Sequence, residues 1–199
     1  MLYLSEMKRL LTILILIFTL QTPSQADDIR DFQIEGMSLG DSALDFFSKE
    51  DIKKRSKNYY KNKKYTPVEN DKLSFFQTYD AVDFRFKTND KKYIIQAIAG
   101  VFYYDKNVKD CYKRMDQIVK DIKEFLDDTK YQHRKLVEKH SADKSGKSKV
   151  TTSYFDFESK DMAYVQCYDY SDETGWQDNL KVGIAKKEFV YFIENEAYK

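Results

Sequence analysis

Residues 107–127, NVKDCYKRMDQIVKDIKEFLD, decide the architecture expected for this chain, because they read as one long amphipathic helix. Apolar side chains recur at helical spacing along one side, while lysine, aspartate and glutamate side chains occupy the other. Asn107 is a good N-cap, and Asp110 lies near the positive end of the helix dipole. The spacing predicts a helix over about 108–127 that packs one face on a core. The apolar positions are Val108, Cys111, Met115, Ile118, Val119, Ile122, Phe125 and Leu126.

Strand patterns surround this helix on both sides in the sequence. Residues 79–87 alternate between apolar and charged side chains, and after a turn at 88–92 a more apolar run covers 93–104. Strands separated by hairpin turns around one long helix predict an α+β fold, with an antiparallel sheet of about five to six strands and the helix on one face. Further strand patterns cover 32–36, 132–139, 149–157, 162–170 and 180–185.

Short helices are expected near both ends of the folded chain. Gly40, Asp41 and Ser42 open the first, since Asp41 or Ser42 can cap a run that extends to Ile52. Near the C-terminus, apolar side chains again recur at helical spacing, which predicts a helix with a strand as the alternative. These positions are Phe189, Phe192, Ile193 and Ala197.

The first residues are typical of an export signal. Lys8 and Arg9 precede an apolar run over 10–20, and Ser24-Gln25-Ala26 fits signal peptidase. The run is shorter than the roughly 20 apolar residues that cross a bilayer. We therefore expect a signal peptide over 1–26, cleaved between Ala26 and Asp27, and a single domain over 27–199 without a membrane span. An uncleaved anchor is the alternative.

The two cysteines, Cys111 and Cys167, are expected to form one disulfide in an exported protein. Cys111 lies on the apolar stripe of the predicted helix. Cys167 shares a strand face with Ala163 and Val165, so a strand packed on the helix would bring the two sulfurs together. The wide spacing and the absence of a Cys-x-x-Cys motif argue against a redox-active pair.

The composition excludes several classes of protein. Two prolines and six glycines exclude collagen-like and low-complexity chains, and 16 tyrosines with 14 phenylalanines exclude a disordered one. A formal charge of +1 provides no global attraction to nucleic acid or anionic lipid. The sequence contains none of the usual catalytic, phosphate-binding or calcium-binding motifs, so it favours a non-enzymatic protein without a cofactor.

The most distinctive local feature is a basic stretch over 53–65, KKRSKNYYKNKKY, which contains no acidic residue. It could contact anionic head groups or envelope polymers, since its tyrosines are interleaved with cations. The simpler interpretation is a solvated helix end and loop. The candidate contact residues are Lys53, Lys54, Arg55, Lys57, Lys61, Lys63 and Lys64.

Three other residues are site candidates. His133 and His140 lie seven positions apart in a predicted strand and so point to opposite faces, which makes a poor zinc site. Trp176, between the last two strands, either caps the core or presents a contact surface, and the first interpretation is favoured.

Four segments together resemble small exported proteins of unknown function from marine alphaproteobacteria with AT-rich genomes. They are 34–42 (IEGMSLGDS), 87–95 (KTNDKKYII), 143–148 (DKSGKS) and the ending 187–198 (KEF to NEAY). The resemblance implies a periplasmic location and supports a helix rather than a strand at the C-terminus. It implies no catalytic residues, and AT-rich coding also explains the excess of lysine.

Two hypotheses on function follow. The first is a non-enzymatic binding or interaction module of the envelope, whose partner is an envelope protein or an anionic envelope surface rather than nucleic acid. The second is a small-molecule-binding protein or a hydrolase, with a site across the sheet face. A deep pocket with convergent polar groups would favour the second.

Overall fold

A computed structural model of the chain describes residue 29 and residues 32–71, 73–105, 107–126 and 130–199. Within these residues, three α-helices accompany one antiparallel sheet of seven strands, which confirms the α+β class. The elements in chain order are α1 (Lys49–Arg55), β1 (Tyr65–Asp71), β2 (Ala81–Lys87), β3 (Ile95–Tyr104), α2 (Val108–Phe125), β4 (Tyr131–Lys139), β5 (Lys149–Phe157), β6 (Met162–Asp169), β7 (Asp178–Ala185) and α3 (Lys187–Asn195).

The strands are ordered β1-β2-β3-β7-β6-β5-β4 across the sheet. Two antiparallel runs, β1 to β3 and β4 to β7, are joined by α2, and they meet where β3 pairs with β7. The sheet therefore has seven strands rather than the five or six expected. β3 lies inside the sheet, which explains why its sequence is the most apolar of all the strands.

One face of the sheet carries the main core. The helix α2 places Cys111, Met115 and Ile122 against this face, as its apolar stripe predicted. Val82, Phe84 and Phe86 on β2 also point into the core, while the residues that alternate with them point to the opposite face. Among the described residues, α3 and Tyr60 cover part of the opposite face, and the rest of that face carries the candidate site.

The disulfide forms as expected, between Cys111 on α2 and Cys167 on β6. Both cysteines are fully buried, and their Cα atoms lie 6.0 Å apart. The bridge closes a loop of 56 residues, and in the chain-entropy description such a loop adds about 4 kcal/mol to the free energy of unfolding. It fixes the helix to the middle of the second run of strands.

The expected strand at 32–36 is wrong. Ile34 and Met37 form an isolated bridge across a two-residue turn, in which Glu35 and Gly36 both have positive φ (51° and 79°). Two consecutive residues of positive φ are typical of a tight hairpin turn, so the chain reverses here instead of extending. The Gly at 36 lowers the cost of that conformation.

The strand β1, in contrast, was not expected from the sequence. It contains Pro67, Glu69 and Asn70, which are all depleted in strands. β1 pairs only with β2 among the described strands, so Pro67 lies at a sheet edge, where a missing N–H is tolerated. Its carbonyl accepts a hydrogen bond from the backbone N–H of Lys57 at 2.8 Å.

Helices occur near both ends, but the first differs from its prediction. The expected helix from Ser42 to Ile52 is divided into a 3-10 turn at Ala43–Asp45 and the helix α1. Ser42 caps the turn and Ser48 caps α1, each by accepting a backbone N–H. At the C-terminus the helix α3 forms, and the strand alternative is wrong.

Candidate functional site on the open sheet face

The candidate site lies on the sheet face opposite α2, above the junction of β3 and β7. Ala97 pairs with Ala185 and Ala99 pairs with Gly183 across this junction. These small side chains leave a trough between the larger side chains on β2 and β6. The trough is possible because β3 and β7 contribute only alanine and glycine at these four positions.

Three charged side chains meet on one side of the trough. Asp83 and Arg85 project from β2, and the Lys181 ammonium on β7 donates a hydrogen bond to an Asp83 carboxylate oxygen at 2.6 Å. The Arg85 guanidinium donates from Nε to the Tyr60 hydroxyl at 3.2 Å and from Nη1 to the Phe84 carbonyl at 3.0 Å. The side chains of Asp83 and Lys181 are only 7% and 22% exposed.

The electrostatics keep Lys181 and Arg85 positively charged. Burial and the neighbouring Arg85 lower the pKa of Lys181, but the charge and hydrogen bond of Asp83, together with Tyr164, raise it by more, so the pKa lies above its usual value. For Arg85, burial likewise lowers the pKa, and Tyr60 and Asp83 together raise it by more. Two cations therefore flank one carboxylate, and the mostly buried cluster has a formal net charge of +1.

Tyrosines form the other side of the trough. Tyr164 and Tyr168 project from β6 and Tyr154 from β5, all on the same face. Burial raises the pKa of Tyr164 and of Tyr168, so both phenols stay protonated at neutral pH and can donate hydrogen bonds. The guanidinium of Arg134 lies 3.8 Å from the centre of the Tyr154 ring and also forms an ion pair with Asp156.

The helix α3 and the end of the chain close one end of the trough. Phe189 and Phe192 pack on the rings of Tyr60 and Tyr65, and this second apolar cluster covers Ala97 and Ala185. The space that remains is a cavity of about 460 Å³. Its lining combines the small floor, the charged cluster, the tyrosines, the apolar side of α3 and, at the mouth, the exposed Glu138, Glu194 and Tyr198.

An aromatic cluster extends from the cavity toward the end of the sheet. Tyr168 stacks on Tyr170, whose ring meets His140 and Trp176 edge-on at centroid distances of 5.2 Å. The core-capping interpretation of Trp176 is wrong, because this residue is 47% exposed. Trp176 lies on the surface of the aromatic cluster instead.

The two histidines lie apart. His133 contacts the ring of Phe155 at 5.0 Å, on the core side of the sheet, whereas His140 contacts Tyr170 and Trp176. Burial lowers the pKa of both histidines.

The basic stretch is spread over several elements. Lys53, Lys54 and Arg55 form the last turn of α1, where cations interact favourably with the helix dipole. Lys57 lies 3.9 Å from Glu69 on β1, and Lys64 forms an ion pair with Glu196 at 3.1 Å. Lys61 and Lys63 lie in the exposed connection to β1, near the end of the chain.

The tyrosines within the basic stretch do not form a stacking surface. Tyr60 and Tyr65 are buried under α3, and the hydroxyl of Tyr59 donates a hydrogen bond to Glu69 at 2.6 Å. Two of the seven basic side chains are thus neutralised by nearby acids, and two of the three tyrosines belong to the apolar cluster.

The residues of the cavity were not singled out from the sequence. In the sequence, Asp83, Arg85 and Lys181 are only the polar members of two alternating strand patterns. One signal was present, since three charges lie in the middle of strands whose other side is strongly apolar. The three side chains converge because β3 pairs with β2 on one side and with β7 on the other. The pairing of β3 with β7 joins distant parts of the chain, so no local pattern of residues predicts it.

The predicted signal peptide and its cleavage site, Ala26 and Asp27, lie outside the described residues. Among the residues that the structure describes, no helix has the length and apolar character needed to cross a membrane. Comparison of the chain with protein-family models, curated proteins and solved structures found no match.

Proposed function

We propose that this protein is a non-enzymatic binding protein of the cell envelope that holds a small ligand in the cavity on the open sheet face. The observation that carries the proposal is the cavity itself, where a charged cluster and several tyrosines converge over a floor of small side chains. Its volume of about 460 Å³ falls within the range of small-molecule sites, roughly 300–1,000 Å³.

The arrangement supports binding rather than hydrolysis. A hydrolytic site needs a nucleophile or an activated water beside a positioned base, which is most often a histidine. His133 lies on the core side of the sheet, and His140 lies against Tyr170 and Trp176. The cavity instead offers fixed hydrogen-bond donors and aromatic rings, which recognise a ligand without changing it.

The envelope location is supported by two independent features. The N-terminal sequence has the pattern of an export signal, and the buried disulfide between Cys111 and Cys167 suits an oxidising compartment. A binding protein of the envelope that acts on a protein partner is the second candidate. It is favoured by the half-exposed Trp176, because aromatic side chains of this kind are enriched in protein interfaces.

A thermal-shift screen of the full chain, with its disulfide intact, tests the first candidate. A cavity ligand at about 100 times its dissociation constant adds roughly 2.7 kcal/mol to the free energy of unfolding, which is a rise of several degrees in Tm. The variant Gln166→Trp places a bulky ring in the cavity from β6. The matched control is Val137→Trp, because Val137 is 65% exposed and lies on the side of β4 that faces away from the cavity.

We expect at least one class of small molecule to raise the Tm of the wild type and of Val137→Trp but not that of Gln166→Trp. A shift that survives in Gln166→Trp would place the site elsewhere. A screen without any shift would refute the small-ligand proposal and leave a protein partner, which crosslinking in the envelope would identify.

A further inference from the structure

The charged cluster in the cavity has hydrogen-bond donors that its own members do not use. The Lys181 ammonium carries three N–H donors and gives one to Asp83, and the Arg85 guanidinium uses Nε and Nη1. Among the described residues, the structure gives Nη2 of Arg85 no acceptor. An incoming group that supplies acceptor oxygens would therefore meet donors from two cations that are already held in place.

The net charge of the cluster selects among anions. Two cations and one carboxylate leave a single positive charge, which one carboxylate of a ligand neutralises. A phosphate ester carries up to two negative charges, so the exposed Glu138 and Glu194 at the mouth would repel it more strongly than they repel a monocarboxylate. A pair of cationic donors also suits the two oxygens of a carboxylate, since charge-assisted hydrogen bonds are the strongest available.

The shape and chemistry of the walls select the rest of the ligand. The ring of Tyr164 lies over Gly183, and Tyr154 and Tyr168 continue the aromatic side of the cavity. Flat aromatic walls favour a ligand with a ring, because a ring makes the largest contact with them at little cost in conformational freedom. The volume limits the ligand to about the size of one or two rings.

We infer that the ligand is a small ring-bearing monocarboxylate, whose carboxylate binds Arg85 and Lys181 while its ring packs against the tyrosines of β5 and β6. This inference rests on the proposed function, for which it names the ligand class. The same chemistry occurs in two sources, a uronic acid from an envelope glycan and an aromatic acid. The experiment separates the two sources.

Isothermal titration calorimetry of the full chain with two matched pairs of compounds, each an acid and its neutral alcohol, tests the inference. One pair is glucuronate and glucose, and the other is 4-hydroxybenzoate and 4-hydroxybenzyl alcohol. We expect one of the two acids to bind, and its neutral counterpart to bind at least tenfold more weakly. Arg85→Gln should weaken binding of that acid at least tenfold, whereas Lys149→Gln, an exposed site on β5, should leave it unchanged.

A second variant guards against loss of the fold. Because Arg85→Gln also removes the hydrogen bond to Tyr60, the Tm of this variant is measured first. The double variant Lys181→Gln/Asp83→Asn is the alternative, since it removes one positive and one negative charge and leaves the net charge of the protein unchanged. An acid and its neutral counterpart that bind equally would overturn the inference, as would an acid whose affinity neither cluster variant lowers. Failure of both acids, while the thermal-shift screen finds another class of ligand, overturns the inference but not the proposed function. Failure of the screen as well overturns both.

Discussion

The ring of Tyr164 on β6 lies directly over Gly183 on β7, so closely that a Cβ atom at position 183 would overlap the Cζ and hydroxyl oxygen of that ring. The same Cβ would lie 2.9 Å from the Cβ of Ala99 on the next strand. An aromatic ring that covers a strand glycine compensates for the missing side chain. Here it also sets the position of the tyrosine wall of the cavity. Tyr79 covers Gly100 in the same way on the core side.

Gly183→Ala should displace the Tyr164 ring. We expect a loss of about 1–3 kcal/mol in the free energy of unfolding, as for other cases of overpacking, and a weaker affinity for the cavity ligand. Urea unfolding of the variant and of the wild type measures the loss.

A double-mutant cycle provides the control for that substitution. Tyr164→Ala removes the ring, so the added methyl group should cost much less in Tyr164→Ala/Gly183→Ala than in the wild-type background. Additive effects would show that the ring and the glycine are not coupled.

Removal of the disulfide should destabilise the protein without changing its fold. We expect Cys111→Ala/Cys167→Ala to lose about 4 kcal/mol in the free energy of unfolding, because the unfolded chain regains the freedom of a 56-residue loop. Urea unfolding measures this change, and reduced wild-type protein should match the double variant. Two thiols that react with an alkylating agent in the native, unreduced protein would contradict the disulfide.

Stability should fall below about pH 6.5 because of the two histidines. Burial lowers the pKa of His140, where Lys181 also lowers it and Asp143 opposes both, and burial with Lys123 and Lys135 lowers that of His133. A lowered pKa means that the folded state favours the neutral ring. The stabilising contribution is therefore complete above the unfolded-state pKa of about 6.5 and is lost as the pH falls through the folded-state pKa.

Urea midpoints at pH 7.5 and pH 5.5 measure this dependence. His140→Gln and His133→Gln should each reduce the difference between the two midpoints, and the double variant should reduce it most. Equal midpoints for the wild type at the two pH values would contradict the expectation.

Glu35 should stabilise the segment that precedes β2 by accepting hydrogen bonds from its backbone. Its carboxylate accepts the backbone N–H groups of Gln77, Thr78 and Tyr79 at 2.7–2.8 Å. Burial raises the pKa of Glu35, but these three hydrogen bonds together lower it by more. We expect Glu35→Gln to lose about 2 kcal/mol in the free energy of unfolding, as is typical of hydrogen bonds to a charged group.

Hydrogen exchange locates the effect of that substitution. The amide protons of Thr78 and Tyr79 should exchange faster in Glu35→Gln, whereas those of β5 should not change. The stabilisation by the wild-type carboxylate should be complete above the usual glutamate pKa of about 4.5 and should be lost as the pH falls through the lower pKa of the folded state. Unchanged exchange at Thr78 and Tyr79 would refute the anchoring role.

Several elements could be predicted because their signals are local. The helix α2 follows from the spacing of its apolar side chains, and β2 follows from the alternation between apolar and charged residues from Val82 to Lys87. The disulfide follows from the placement of Cys111 and Cys167 on two apolar faces. In each case, the residues of one helix or strand show by their spacing which of its faces is buried.

Other elements could not be predicted because a distant neighbour decides them. β1 has the composition of a loop, and it becomes a strand because β2 offers it a free edge. The segment at 32–36 has the composition of a strand, yet positive φ at Glu35 and Gly36 turns it back on itself. Trp176 lies on the surface because the neighbouring aromatic rings, and not the core, contact it.

The sequence by itself determined the α+β class, the long helix, the disulfide and the faces that each strand buries, since periodicity and residue type act over a few residues. Only the tertiary structure decided the cavity. Asp83 and Lys181 are 98 residues apart in the chain, and they form an ion pair because β7 inserts beside β3 rather than at an edge of the sheet. That insertion depends on long-range strand pairing, which no local pattern of residues contains.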